Sequence, residues 1–201
     1  MPTIPNYSEV NICNLALNQL SEQEIGGLTE SSKAARLCNR YFEQSRDELF
    51  RAYDWNFASS RVVLAQLSDT PLFGWDFAYA LPADFLMLRN RETYGLYRIE
   101  DGKLLSDLDS TEFNIRYTRR IDDYNDCDPL FIECWYLYLA YKIAMGLTGD
   151  RTLRGEMLQY YKDALIRAKQ IDDMEDHPDE EPIPWVTVGR SRRIYGTYKG
   201  I

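Results

Sequence analysis

Histidine is almost missing from this chain: among 201 residues, His177 is the only one. It sits in an acidic stretch just before Pro178, a poor place for a Ser-His-Asp or Cys-His catalytic centre. Cysteine is also sparse. Cys13, Cys38, Cys127 and Cys134 form no Cys-x-x-Cys pair, so the short ligand spacing of a zinc site is lacking. Cys13 and Cys38 fall on apolar helical stripes, and all four are expected to be reduced and structural. No P-loop, Gly-x-Gly-x-x-Gly or Gly-x-Ser-x-Gly motif occurs. No apolar run reads as long enough to span a bilayer, and Met1-Pro2-Thr3-Ile4-Pro5 lacks a basic segment followed by an apolar one. These absences lead to the expectation of a soluble protein with no export signal and no membrane partner. No catalytic, cofactor or metal residue is assigned, and no enzymatic activity is expected.

Positive charge is in deficit. The 23 Lys and Arg against 32 Asp and Glu leave a formal net charge of −9. A broad basic face for gripping nucleic acid is thereby disfavoured, although DNA could pass such a surface without sticking. The acidic residues supply many carboxylate pairs by chance, such as Glu22 with Glu24 or Asp122 with Asp123. Solvated surface charge explains them better than glycosidase chemistry.

What is present is a 45% hydrophobic, 13% aromatic chain, enough for a packed core. Ser8 suits an N-cap, and Val10, Cys13, Leu17 and Leu20 recur behind it at helical spacing. Gly26-Gly27 breaks that helix, and Thr29 or Ser31 is the expected cap of a second one over about residues 32–53. There Ala34, Leu37, Cys38, Tyr41, Phe42 and Leu49 form an apolar stripe. Trp55 and Phe57 then alternate, which predicts an aromatic corner entering extended chain and pinning the second helix against a sheet. Residues 61–67 and 75–82, a hairpin about Asp101-Gly102 within residues 94–106, and the alternation of Phe113, Ile115 and Tyr117 with Asn114, Arg116 and Thr118 predict one small antiparallel sheet. Asp128-Pro129 predicts a helix start. Stripes through Cys134, Leu137, Tyr138, Tyr141 and Ala144, and through Leu153, Met157, Tyr160, Tyr161, Ala164, Leu165, Ala168 and Ile171, predict a third and a fourth helix.

The expected fold is therefore α+β and mainly α: a four-helix bundle, split two and two, with an inserted small antiparallel β subdomain. Residues 1–59 and 127–177 would form the bundle, 60–126 the insertion and 178–201 an extended C-terminal arm. The arm follows acidic residues 172–181 and opens with Pro182-Ile183-Pro184. Two prolines favour extended chain there. Pro184, Trp185, Val186, Val188, Arg190, Arg192, Arg193 and Tyr195 are the candidate partner-binding residues, apolar anchors followed by a basic rim.

An ordered series of short segments runs through Asn14-Leu15-Ala16-Leu17-Asn18-Gln19-Leu20, Glu30-Ser31-Ser32-Lys33-Ala34-Ala35, Cys38 with Tyr41, and Arg46-Asp47-Glu48-Leu49. Trp55-Asn56-Phe57-Ala58, Tyr79-Ala80-Leu81-Pro82-Ala83-Asp84, Ile115-Arg116-Tyr117, Asp128-Pro129-Leu130-Phe131 and Leu139-Ala140-Tyr141-Lys142-Ile143-Ala144 follow. This series resembles the head-to-tail adaptor proteins of short-tailed bacteriophages, the tail tubular protein A and P22-type adaptor group. The likeness covers roughly residues 10–175. Ser21 departs from it, standing where a glycine often follows the first helix, and so does Tyr53-Asp54, where a His-Pro-like pair is common.

The resemblance implies a virion structural protein that joins the portal to the tail and continues the DNA channel. Its implied partners are the portal protein, a tail nozzle or other tail component, and copies of itself in a twelve-subunit ring, with DNA passing without specific binding. Its implied location is the neck or tail of the virion, and the host cytoplasm during assembly. Two other expectations stand beside it: a tail-associated cell-wall glycosidase, and a non-viral helical interaction module.

Overall fold

The computed structural model describes residues 7–89, 97–108 and 113–175. The expected arm 178–201, with all of its candidate binding residues, and His177 lie outside them. Among the described residues, four α-helices and six strands make an α+β fold: α1 (Glu9–Gln19), α2 (Lys33–Ala52), β1 (Ser59–Leu64), β2 (Phe77–Ala80), β3 (Phe85–Leu88), β4 (Tyr97–Glu100), β5 (Lys103–Ser106), β6 (Phe113–Arg119), α3 (Pro129–Leu147) and α4 (Arg151–Glu175).

Local chemistry sets the helix ends. Ser8 Oγ accepts the Asn11 amide, as expected. The second helix is capped by neither Thr29 nor Ser31 but by Ser32, whose Oγ accepts the Ala35 amide at 3.1 Å. Asp128 Oδ1 accepts the amides of Leu130 and Phe131, with proline next in the chain. An N-cap acceptor relieves amides that have no partner within the helix. At the C-terminus of α1, the Ser21 amide donates to the Asn18 carbonyl and that of Glu22 to Leu17. This is the Schellman pattern, and it forces Ser21 to a φ of 56°.

Helix α3 occupies the middle. It packs on α1, α2 and α4, and its residues Phe131, Trp135, Leu139, Ala140 and Ile143 are fully or almost fully buried. The expectation that no apolar run is long enough to span a bilayer meets one exception by length and composition. Among the described residues, Pro129–Leu147 alone is long and apolar enough to do so by length and composition, with a mean hydropathy of 1.2. Contact with three helices gives that apolar surface a partner inside the protein.

Trp55 is 1% exposed, but the aromatic corner is neither extended nor packed as expected. Residues Asn56–Ala58 make a single 3-10 turn. Trp55 meets Phe131 of α3 edge-on at 5.3 Å, and Phe57, half-buried, lies 5.1 Å from the same ring. The knot thus fastens α2 to α3 rather than to the sheet. The Trp55 indole donates to the Leu49 carbonyl at 2.9 Å.

The middle of the chain forms two three-stranded antiparallel sheets instead of one, with orders β1-β6-β3 and β2-β5-β4. Leu64, Tyr79, Leu104, Phe113, Ile115 and Tyr117 from both sheets form a shared second core. Asp101 and Gly102 turn the β4–β5 hairpin with φ of 50° and 68°, the positive pair that a type I′ turn requires. Strand β3, absent from the expected set, completes the first sheet beside β6.

Candidate assembly surfaces

Arginines of the first sheet hold it to the end of α2. Arg89, one residue beyond β3, donates from Nη2 to the carbonyls of Phe50 at 3.1 Å and of Tyr53, and from Nε to Thr118 Oγ1 at 2.7 Å. In return Arg51 of α2 donates to the Leu86 carbonyl at 2.6 Å. The last carbonyls of a helix carry the negative end of its dipole, where a cation is favoured. Two carboxylates complete the joint. Asp54 pairs with Arg116 at 2.8 Å and Arg89 at 3.5 Å, and Asp47 pairs with Arg120 at 2.6 Å. The face of β6 expected to be wet therefore partly faces protein, and Thr118 is fully buried.

A second lock ties α4 to the turn after Trp55. Asp172, at the start of the acidic stretch 172–181, is buried. Its two oxygens accept the Asn56 amide at 3.1 and 3.2 Å, and Asn56 Nδ2 donates to the Asp172 carbonyl at 2.9 Å. A third lock is buried between α2 and α3. The Trp135 indole donates to Ser45 Oγ at 2.9 Å, and that hydroxyl donates to the Phe42 carbonyl at 2.8 Å.

Several residues that carry the resemblance have structural duties of this kind. Asn14 accepts the Ile25 amide and donates to the Ile25 carbonyl, holding the α1–α2 loop onto α1. Asp84 accepts the Tyr117 hydroxyl at 3.0 Å. At the surface, Glu48 receives Lys142 Nζ and the Tyr138 hydroxyl, each at 2.6 Å, and the Gln44 amide. Burial raises the Glu48 pKa, but these donors outweigh it and hold the carboxyl below its ordinary value.

The four cysteines are unbonded and buried. Burial pushes the Cys127 and Cys134 thiols up to about 12, and Cys13 is pushed up by its hydrogen bond with Cys38 and by burial. Thiols held this high are poor nucleophiles. Among the described residues no group of three or more His, Cys, Asp or Glu is arranged to hold a metal ion.

Among the described residues, apolar side chains are exposed on one loop and along α4. In the loop 65–76 between β1 and β2, Leu72 is 97% exposed and Phe73 87%. That loop is the tip of a hairpin, because Leu67 and Ala80 donate to the carbonyls of Ala78 and Ala65. On α4, Tyr160 and Ile171, expected on the apolar stripe, lie at its flank and are exposed, as are Ile166 and Met174. Near the α3–α4 turn, Tyr141, Met145, Arg151, Arg154, Gly155 and Leu158 line an open cleft of about 460 Å³. Arg154 lies over the Tyr141 ring at 4.7 Å and donates to its hydroxyl at 3.0 Å. No family model and no curated protein matches this chain.

Proposed function

We propose that this protein is a virion structural component, a head-to-tail adaptor that forms a ring between a portal and a tail. The observation that carries this reading is a pair of apolar features on unlike elements, the exposed Leu72-Phe73 tip and the open cleft at the α3–α4 turn, where Met145 is 40% exposed. Ring closure needs two different faces on each subunit, one meeting the other on the neighbour, and exposed aromatic and aliphatic groups of this size favour association. The ordered residue series from Asn14 to Ala144 supports the family, and the helix–sheet locks suit a subunit that must hold one shape under load.

In this reading the four helices form a bundle split two and two around the β insertion. Residues 178–201 dock on the portal, with Trp185 as anchor beside Pro184, Val186, Val188 and Tyr195, and with Arg190, Arg192 and Arg193 at the rim. The ring has twelve subunits, its net charge of −9 keeps passing DNA from sticking, and the far side receives a tail component. Before assembly the protein is mainly monomeric.

Truncation after Glu181 tests the docking role. The shortened protein is expected to keep its melting temperature and lose most of its affinity for the portal of the same virion. Unchanged affinity would remove the arm from the interface.

A further inference from the structure

We infer that the Leu72-Phe73 tip of one copy inserts into the cleft between Tyr141, Met145 and Leu158 of a second copy. The inference deepens the ring reading and names the contact through which subunits would meet. Tip and cleft are both accessible. Leu72 and Phe73 are almost wholly exposed, and Met145 at the cleft is 40% exposed. The cleft volume of about 460 Å³ gives room for large apolar side chains, and Tyr141, Met145 and Leu158 are among its lining.

Charge selects this cleft over two others. The tip segment 65–76 contains Asp69 and Asp76 and no Lys or Arg. The lining of the 460 Å³ cleft has Arg151 and Arg154 and no carboxylate. A cleft beside the α1–α2 loop has Glu22, Glu24 and Glu30 against a single cation, Lys33, and one under Trp55 has Asp126, Asp128, Asp172 and Glu175. Those would repel an acidic tip, whereas the arginine-flanked cleft attracts it.

The contact is heterologous, since tip and cleft are different surfaces. It therefore propagates from copy to copy into a ring or filament instead of stopping at a dimer. One loop in one cleft is far smaller than a stable interface. Dilute protein thus stays monomeric, and closure of a ring on a template makes the contact lasting.

Full-length Phe73→Cys and Gly155→Cys variants, treated with a short bis-maleimide at hundreds of micromolar protein, test the inference. Both positions are exposed, and a Cβ at Gly155 meets nothing within 4 Å, so both variants should fold. The buried native thiols give little background.

Each variant alone is expected to stay monomeric, their equimolar mixture to give a dimer, and the double variant a ladder of higher species. Leu72→Ser added to Phe73→Cys should reduce the products at least several-fold. A mixture giving no dimer above the single variants, or a dimer indifferent to Leu72→Ser, overturns the inference. A ladder with no ring on the portal would remove the adaptor reading and leave this contact; a portal-bound ring that does not cross-link would do the reverse.

Discussion

Asp172 of α4 grips the backbone amide of Asn56 with both carboxylate oxygens, at 3.1 and 3.2 Å, 116 residues away in the chain. The amide opens the 3-10 turn that follows Trp55, so the carboxylate fixes where the chain leaves the helices for β1. Asp172→Ala leaves that amide without its acceptor. A loss of about 1–3 kcal/mol is expected, the usual cost of an unsatisfied buried donor. Urea unfolding of the two proteins checks it, and Asp172→Asn should recover part of the loss.

Trp55 joins α2 to α3 through Phe131 and is 1% exposed. Trp55→Ala should destabilise by about 3–5 kcal/mol, as truncation of a buried aromatic does. A shift of the denaturant midpoint equivalent to less than about 1 kcal/mol would mean that this corner contributes little to the fold.

Ser21 occupies the left-handed region at φ 56°, where a side chain is strained and glycine is not. The Schellman bonds at this position depend only on backbone. Ser21→Gly is therefore expected to stabilise the protein by about 0.5–1 kcal/mol, net of the extra freedom that glycine gives the unfolded chain. Thermal melting measures it, and a lower melting temperature would contradict it.

Glu48 links α2 to Lys142 and Tyr138 of α3, and its pKa is depressed in the fold. A depressed carboxylate stabilises the folded state at pH values above its unfolded pKa and loses that contribution as pH falls through the folded one. Wild type should thus exceed Glu48→Gln in stability at neutral pH. The gap should close on acidification below 4.5, the ordinary value for this group. Because Glu48 is partly solvated, a small difference is expected. Unfolding curves across that pH window read it directly.

Signals confined to a few residues were legible before the fold was seen. Ser8 and Asp128 cap helices, Asp101-Gly102 turns a hairpin, and Asp128-Pro129 opens α3. Each is a short-range match between side chain and backbone. Signals that depend on distant neighbours were not. Strand β3, Phe85-Leu86-Met87-Leu88, has no alternation to betray it and exists because β6 and Arg51 take up its backbone. Asp172 opens an acidic run, and only the folded chain places Asn56 beside it. Leu72 and Phe73 fall between the expected strands 61–67 and 75–82, and only the folded chain leaves them outside both cores. The arm 178–201 was marked by composition, and it lies outside the described residues.

The most direct test of the adaptor role is to mix the full-length protein with the portal ring of the same virion and measure the mass and symmetry of the product by native mass spectrometry and electron microscopy. The expected product is a portal carrying one added ring of twelve copies, with free protein remaining monomeric at micromolar concentration. A portal that stays bare, or copies bound without a closed ring, would contradict the role proposed for this chain.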